Sequence, residues 1–266
     1  MKRKEKSSTN GKTITVNKTV TIDKPTLPVV EINKTYTVTI PEVNLPEIVV
    51  EPTPIKKYPD YYSNFYVILD NGHGEDTPGK RSPDGRLREY KYCREIVIEI
   101  SKQLDAMGIS NCILVPETKD IPLKERVVRA NAIHAQQHAL KKTVILISVH
   151  CNAAGSGEWM NARGWSAWTS VGSTSSDEIA TCLYEAAHEI LDPKKIKIRE
   201  DKSDGDPDWE SNFYILQKSS MPAVLVENFF QDNKLDVQYL LSEEGRKDVI
   251  DIHVRGIEKY IRKKFS

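Results

Sequence analysis

A chain of 266 residues is long enough to bury a substantial core without disulfides or an obligate partner. Its 38 Lys and Arg balance its 38 Asp and Glu, so the basic excess that marks many nucleic-acid binders is missing and no nucleic-acid partner is expected. Nor is membrane insertion expected, since no apolar run reaches the length of a span; Cys93, Cys112, Cys151 and Cys182 lie far apart with no C-x-x-C pair and read as reduced thiols.

Residues 1–60 differ from the rest. Lys, Thr, Val and Pro dominate, and "KTITVNKTVTIDK" and "NKTYTVTIPE" repeat one alternating theme that favours extended backbone, while the prolines interrupt strand pairing. This stretch reads as an extended, low-complexity linker or tail. Its basic start is not followed by an apolar run of signal-peptide length, which predicts synthesis in the cytoplasm and delivery elsewhere by another route.

From residue 61 to 266 strand-like and helix-like segments alternate, as in one catalytic-sized domain. "FYVILD" is followed by the helical "EYKYCREIVIEISKQLDAMG", in which Cys93, Val97, Ile100, Leu104 and Met107 recur at three- and four-residue steps and Gly108 is placed to end the helix. "CILVP", the helical "LKERVVRANAIHAQQHALKK", "TVILISVH", "GWSAWTS", the helical "SSDEIATCLYEAAHEIL", "PAVLVE" and a C-terminal helix continue the pattern. Short apolar runs joined by amphipathic helices predict an α/β fold, a twisted and mostly parallel sheet with helices on both faces. The acidic run Glu200 to Glu210 reads as a solvated loop with the option of a lid, and Trp165, Trp168, Trp209 and Tyr214 as either groove or core.

Ligands in open α/β sheets gather at the carboxyl ends of strands. Three apolar runs end there in polar, metal-competent residues: "VILDNGH" in His73, "ILISVH" in His150 and "AVLVE" in Glu227; Glu89, opening the first long helix, is a fourth candidate. Two imidazoles and one carboxylate hold a tetrahedral Zn²⁺ with one position open, and a second carboxylate off the metal can move a proton to a leaving amine, a set suited to amide hydrolysis. Taken singly, each has a structural alternative: a turn histidine, a core histidine, a helix-dipole carboxylate. His134 and His138 have a metal pair's i, i+4 spacing without the Glu of H-E-x-x-H, and read as surface or packing residues. "GEDTPGKR" nearly matches the phosphate loop G-x-x-x-x-G-K-[ST], but Arg81 stands where the hydroxyl belongs and "SPDG" where the helix should start.

In order and spacing, "ILDNGHGEDTPG", "REYKYCREI", "ISVHCNA", "ARGWSAW" and "PAVLVENFF" resemble the zinc-dependent N-acetylmuramoyl-L-alanine amidases of the amidase-3 group, over about residues 64–262. The resemblance implies Zn²⁺ held by His73, Glu89 and His150, with Glu227 as the catalytic glutamate. It implies bacterial peptidoglycan as partner and hydrolysis of the amide between N-acetylmuramic acid and L-alanine. Family members are exported wall enzymes or phage and prophage endolysins, and this chain looks more like the latter. The chain departs from the pattern at Asn228, after the catalytic glutamate where many relatives carry Gly, and in the "REDKSDGDPDWESNFYIL" insertion. Asn152, Arg126 and Asn131 fall where relatives tend to have polar residues; Asn152 and Arg126 are candidates for orienting ligands or substrate, with structural hydrogen bonding the reading preferred for Arg126 and Asn131. The alternatives are a different zinc peptidase of the cell wall and a non-catalytic wall-binding or phage structural protein. Oligomeric state is not read from the sequence.

Overall fold

A computed structural model describes residues 58–265, so the predicted tail lies, apart from its last three residues, outside the described residues. The order of elements is β1 Phe65–Asn71, α1 Glu89–Ala106, β2 Ser110–Ile113, α2 Leu123–Ala139, β3 Thr143–Asn152, β4 Ser166–Thr169, α3 Asp177–Leu191, β5 Trp209–Glu210, α4 Tyr214–Lys218, β6 Ala223–Phe230, α5 Lys234–Leu241 and α6 Glu243–Lys263. The strands form one sheet in the order β2-β1-β3-β6-β4-β5. β2, β1, β3 and β6 run parallel, and β4 lies antiparallel to β6. The sheet is thus mostly parallel and covered by helices on both faces, as the alternation of elements predicts. No helix among the described residues is long and apolar enough to cross a membrane.

Side-chain alternation divides the strands between two cores. Val67, Leu69, Ile145, Ile147, Val149, Val224 and Val226 pack with α1, α3 and α6, while Ile68, Val144, Leu146, Ala223 and Leu225 pack on the side of α2 and α4. The apolar stripe of α1 is buried from Cys93 to Met107, and Gly108 reverses the chain in the left-handed region at φ 77°. The same alternation continues to the carboxyl ends of the strands. There Asp70, Ser148, His150 and Glu227 follow the parity of Ile68, Leu146 and Leu225, and so belong to the face of α2 and α4.

Three local expectations shift. Strand β2 begins at Ser110 and ends at Ile113, earlier than "CILVP": its ladder with β1 closes at the pair Leu69–Ile113, with Leu114 N donating to Leu69 O just beyond it. The acidic run is not wholly solvated: Asp208 is 2% exposed, accepts from the Thr169 hydroxyl at 2.6 Å, and leads into β5 at the sheet edge. Trp165 is fully buried, and the half-buried Trp168 and Trp209 pack against each other at a tilt, Trp168 also meeting Phe213.

His253 in α6 is fully buried, its Nδ1 bonded to Val249 O at 2.7 Å and its Nε2 without a partner. Burial pulls this imidazole down to about 4, against the hydrogen bond to Val249. A group whose folded pKa lies below its unfolded value of 6.5 contributes fully above pH 6.5 and loses that contribution as pH falls toward 4. His253→Leu should therefore narrow the loss of unfolding free energy between pH 7 and pH 5 by about 2 kcal/mol. Urea unfolding of both proteins at the two pH values checks it.

Candidate active site

The run "NGHG" ends β1 where the backbone must pass under a neighbouring ring. A Cβ at Gly72 would lie 2.5 Å from Cε1 and Nδ1 of the His150 imidazole, and one at Gly74 would lie 1.9 Å from Asp120 N. The glycines are there for close approach; the left-handed turn is made by His73 itself, at φ 58°. Gly72→Ala should keep the fold while displacing the His150 ring, and weaken divalent-metal binding by about 10- to 100-fold in a chelator competition, with thermal melting run alongside.

Seventeen residues on, a hairpin returns the chain to the same edge. Gly85 N bonds to Ser82 O at 2.8 Å, and Glu89 N to Lys80 O at 3.0 Å, so the "SPDG" that spoils a phosphate loop is the turn that delivers Glu89. The carboxylate of Glu89 is 1% exposed. Its Oε1 accepts from Cys151 N at 3.0 Å and lies 3.2 Å from His150 Nδ1 and 3.4 Å from His73 Nε2. The three donor atoms all lie within 4.8 Å of one another. Ligand atoms about 2.0–2.1 Å from a tetrahedral ion stand about 3.4 Å apart, so both nitrogen–oxygen spacings match the edges of such a site. A donor set of two nitrogens and one oxygen, gathered from the turn after β1, from α1 and from β3, fits a divalent metal. Burial pushes the Glu89 carboxyl up, but the hydrogen bonds and charges of His150 and His73 outweigh it and hold it well below the usual carboxylate range.

Glu227 stands beside this set because β3 and β6 pair His150 with Glu227 in register. Its Oε2 is buried without a partner. Burial, helped by the Glu89 charge and opposed by His150, lifts this carboxyl to about 8. A bulge follows: between the pairs His150–Glu227 and Asn152–Phe230, β6 carries one extra residue, with Phe229 in the left-handed region at φ 63°. Asn228, the departure noted in the sequence, is fully buried there; its amide donates to His150 O at 3.1 Å and accepts from the Trp165 indole at 3.2 Å.

Arg126 is 2% exposed and spends all five N–H donors on the protein. They reach Ile121 O, Asp70 Oδ1, Asn71 O, His73 O and Asp120 Oδ1. The Ser148 hydroxyl caps the other Asp70 oxygen at 2.5 Å. Arg126 thus clamps the carbonyls on either side of the turn that presents His73, with no donor left for a substrate. Asn152 lines the site, but its side-chain oxygen accepts from its neighbour Ala153 N at 2.8 Å. Asn131 ties α2 to Lys218 and Ser220, away from the site. His134 bonds to Ser220 in the same region and meets His138 edge to face, in keeping with packing roles. Gln231, which sequence reasoning passed over, is 2% exposed and donates to Glu89 Oε2 at 2.9 Å. No local pattern announces it: Gln231 follows Phe229 and Phe230 just beyond β6, and the partner that gives it a role lies 142 residues away.

The site opens into a cavity of about 490 Å³. Pro122 and Leu123 at the start of α2 and Phe213 and Tyr214 at the start of α4 make its apolar wall; His73, His150 and Glu227 lie on its polar side. Lys80 and Ala153 also border a second cavity of about 320 Å³, between residues 78–83 and 153–157. No residue of the 200–210 run lines either one.

Residues 67–259 match the family model Amidase_3, N-acetylmuramoyl-L-alanine amidase. The chain belongs to this family. The amidase-family chain is 26% identical over 231 residues to N-acetylmuramoyl-L-alanine amidase AmiC of Neisseria meningitidis, covering 73% of this chain and 52% of that one. It is 28% identical over 203 residues to the endolysin of Bacillus phage SPP1, covering 74% and 66%. It therefore spans between half and two thirds of the length of these relatives. Among solved structures, an N-acetylmuramoyl-L-alanine amidase from Clostridium difficile 630 superposes with TM-score 0.64 at 24% identity, covering 75% of this chain and 98% of that one. AmiC2 of Nostoc punctiforme superposes with TM-score 0.60 at 24% identity, covering 75% and 98%. These likenesses establish the fold of the amidase-family chain.

Proposed function

We propose that this chain hydrolyses the amide between N-acetylmuramic acid and L-alanine in bacterial peptidoglycan, with Zn²⁺ held by His73, Glu89 and His150 and with Glu227 as its acid–base residue. The observation that carries the reading is the meeting of three metal-competent side chains with a fourth, buried carboxylate at one end of a parallel sheet. The bond is the one named in the family to which the chain belongs.

A bound zinc ion supplies a Lewis acid for the scissile carbonyl and activates water near neutral pH. The protein supplies the rest. Arg126 and Gly72 fix the two imidazoles, one through the carbonyl frame of its turn and the other by leaving room for its ring. Burial lifts the Glu227 carboxyl, to about 8 in the metal-free protein, and a bound divalent charge nearby would draw it back down, toward the range in which a carboxylate accepts a proton and returns it. It takes the proton of the attacking water and delivers it to the alanine nitrogen. The apolar wall of Pro122, Leu123, Phe213 and Tyr214 narrows access of bulk water on one side.

Digestion of purified sacculi followed by mass spectrometry tests the bond. Intact stem peptides with free L-alanine amino termini are expected, together with sugar strands bearing unsubstituted lactyl groups. Fragments cut within the stem would instead establish a peptidase, and unchanged sacculi a binding protein. The likeness to a phage endolysin supports a lytic role, which release of turbidity-clearing activity from a phage-producing host would test.

A further inference from the structure

We infer that Gln231 is a positioning residue for the metal centre, holding Glu89 so that a single carboxylate oxygen is turned to the two imidazoles. The inference rests on the metal-binding part of the reading above and is independent of which bond is cut. The two oxygens of Glu89 have separate partners. Oε1 faces Cys151 N, His150 Nδ1 and His73 Nε2, at 3.0, 3.2 and 3.4 Å. Oε2 accepts from Gln231 Nε2 at 2.9 Å, and the same amide nitrogen donates its second hydrogen to Cys151 O at 3.3 Å.

A terminal carboxylate torsion is soft, and an unrestrained glutamate offers a metal either oxygen or both. Here donors sit on both oxygens: Cys151 N from β3 on one, Gln231 from beyond β6 on the other. The amide orientation of Gln231 is set by chemistry, since the flipped amide would oppose two acceptors to each other. Burial of Gln231 to 2% keeps water from replacing it. Its backbone is anchored as well, Gln231 N bonding to Asn152 O at 2.8 Å. The extra residue of the bulge at Phe229 is what turns the chain: a one-residue shift in a strand exchanges its two faces, and here it moves Gln231 off the face of Glu227 and onto Glu89. A carboxylate so held would offer a bound metal one oxygen and keep the other on Gln231.

The test uses the full chain with Gln231→Leu, which removes the donor at similar volume, and Gln231→Glu, which opposes a second carboxylate to Glu89. Zinc dissociation constants come from chelator competition, the coordination of Co²⁺ from its visible absorption, and folding from thermal melting of the metal-free proteins. Zinc binding should weaken by about 10- to 100-fold in Gln231→Leu and by more in Gln231→Glu. The Co²⁺ spectrum of Gln231→Leu should shift toward a higher coordination number as the second oxygen is freed. A folded Gln231→Leu with unchanged zinc affinity and Co²⁺ spectrum overturns the inference. So does X-ray absorption of the unaltered zinc protein showing Glu89 bound through both oxygens, a measurement that needs no variant. A wild-type protein that binds no zinc would instead remove the metal reading itself.

Discussion

Glu227→Gln should leave a folded, zinc-loaded protein whose release of stem peptide from sacculi falls by about 10²- to 10⁴-fold, the usual contribution of a positioned acid–base group. Glutamine keeps the volume and the place beside His150 that the β3–β6 register gives Glu227, but can no longer accept the proton of an attacking water. The same change has a second, opposite readout. In the metal-free protein the Glu227 carboxyl is lifted from 4.5 to about 8 by burial, so its folded pKa lies above its unfolded one. Such a carboxyl costs nothing below pH 4.5, costs progressively more as pH rises, and reaches its full cost above about 8. Metal-free Glu227→Gln should therefore melt higher than the unaltered protein at pH 8.5 and level with it near pH 4. Loss of activity joined to a gain in stability is the mark of a group kept for function. A variant that retains normal turnover would remove Glu227 from the mechanism.

Arg126→Met should destabilise the protein by about 3–5 kcal/mol, the range for taking one partner from a buried ion pair. The reason lies in Asp70, 1% exposed, whose Oδ1 depends on the guanidinium at 2.8 Å. Asp70→Asn in the same chain should restore a good part of the loss by removing the stranded charge, which urea unfolding of the single and double variants measures. Stability regained in the double variant should not bring metal affinity back with it. The Asn71 and His73 carbonyls would still lack the clamp that fixes the His73 turn.

How much of this was readable in the sequence follows from how far each feature reaches along the chain. The buried stripe of α1 and its end at Gly108 are set by local spacing, and both stand where that spacing puts them. His73, His150 and Glu227 were visible because each closes a buried apolar run. Glu89 was visible only as a helix opener: its value depends on a hairpin turning at Ser82–Gly85, and on Cys151 N 62 residues away. Gln231 stayed hidden because its contact with Glu89 crosses 142 residues. The burial of Asp208, the antiparallel entry of β4 and the saturation of Arg126 are likewise tertiary choices that polar composition does not display.

The central pairing also sets an order of events in synthesis. β3 contributes His150, yet the strand that covers its other side, β6, lies 77 residues later at the register pair His150–Glu227. At about 5–20 residues per second, ribosomal elongation leaves that ladder edge unsatisfied for roughly 4–15 s. Until β6 arrives the nascent chain has an adhesive strand border and lacks Glu227, so chaperone demand should peak in this interval, and the proposed site is complete only once the last strand has docked.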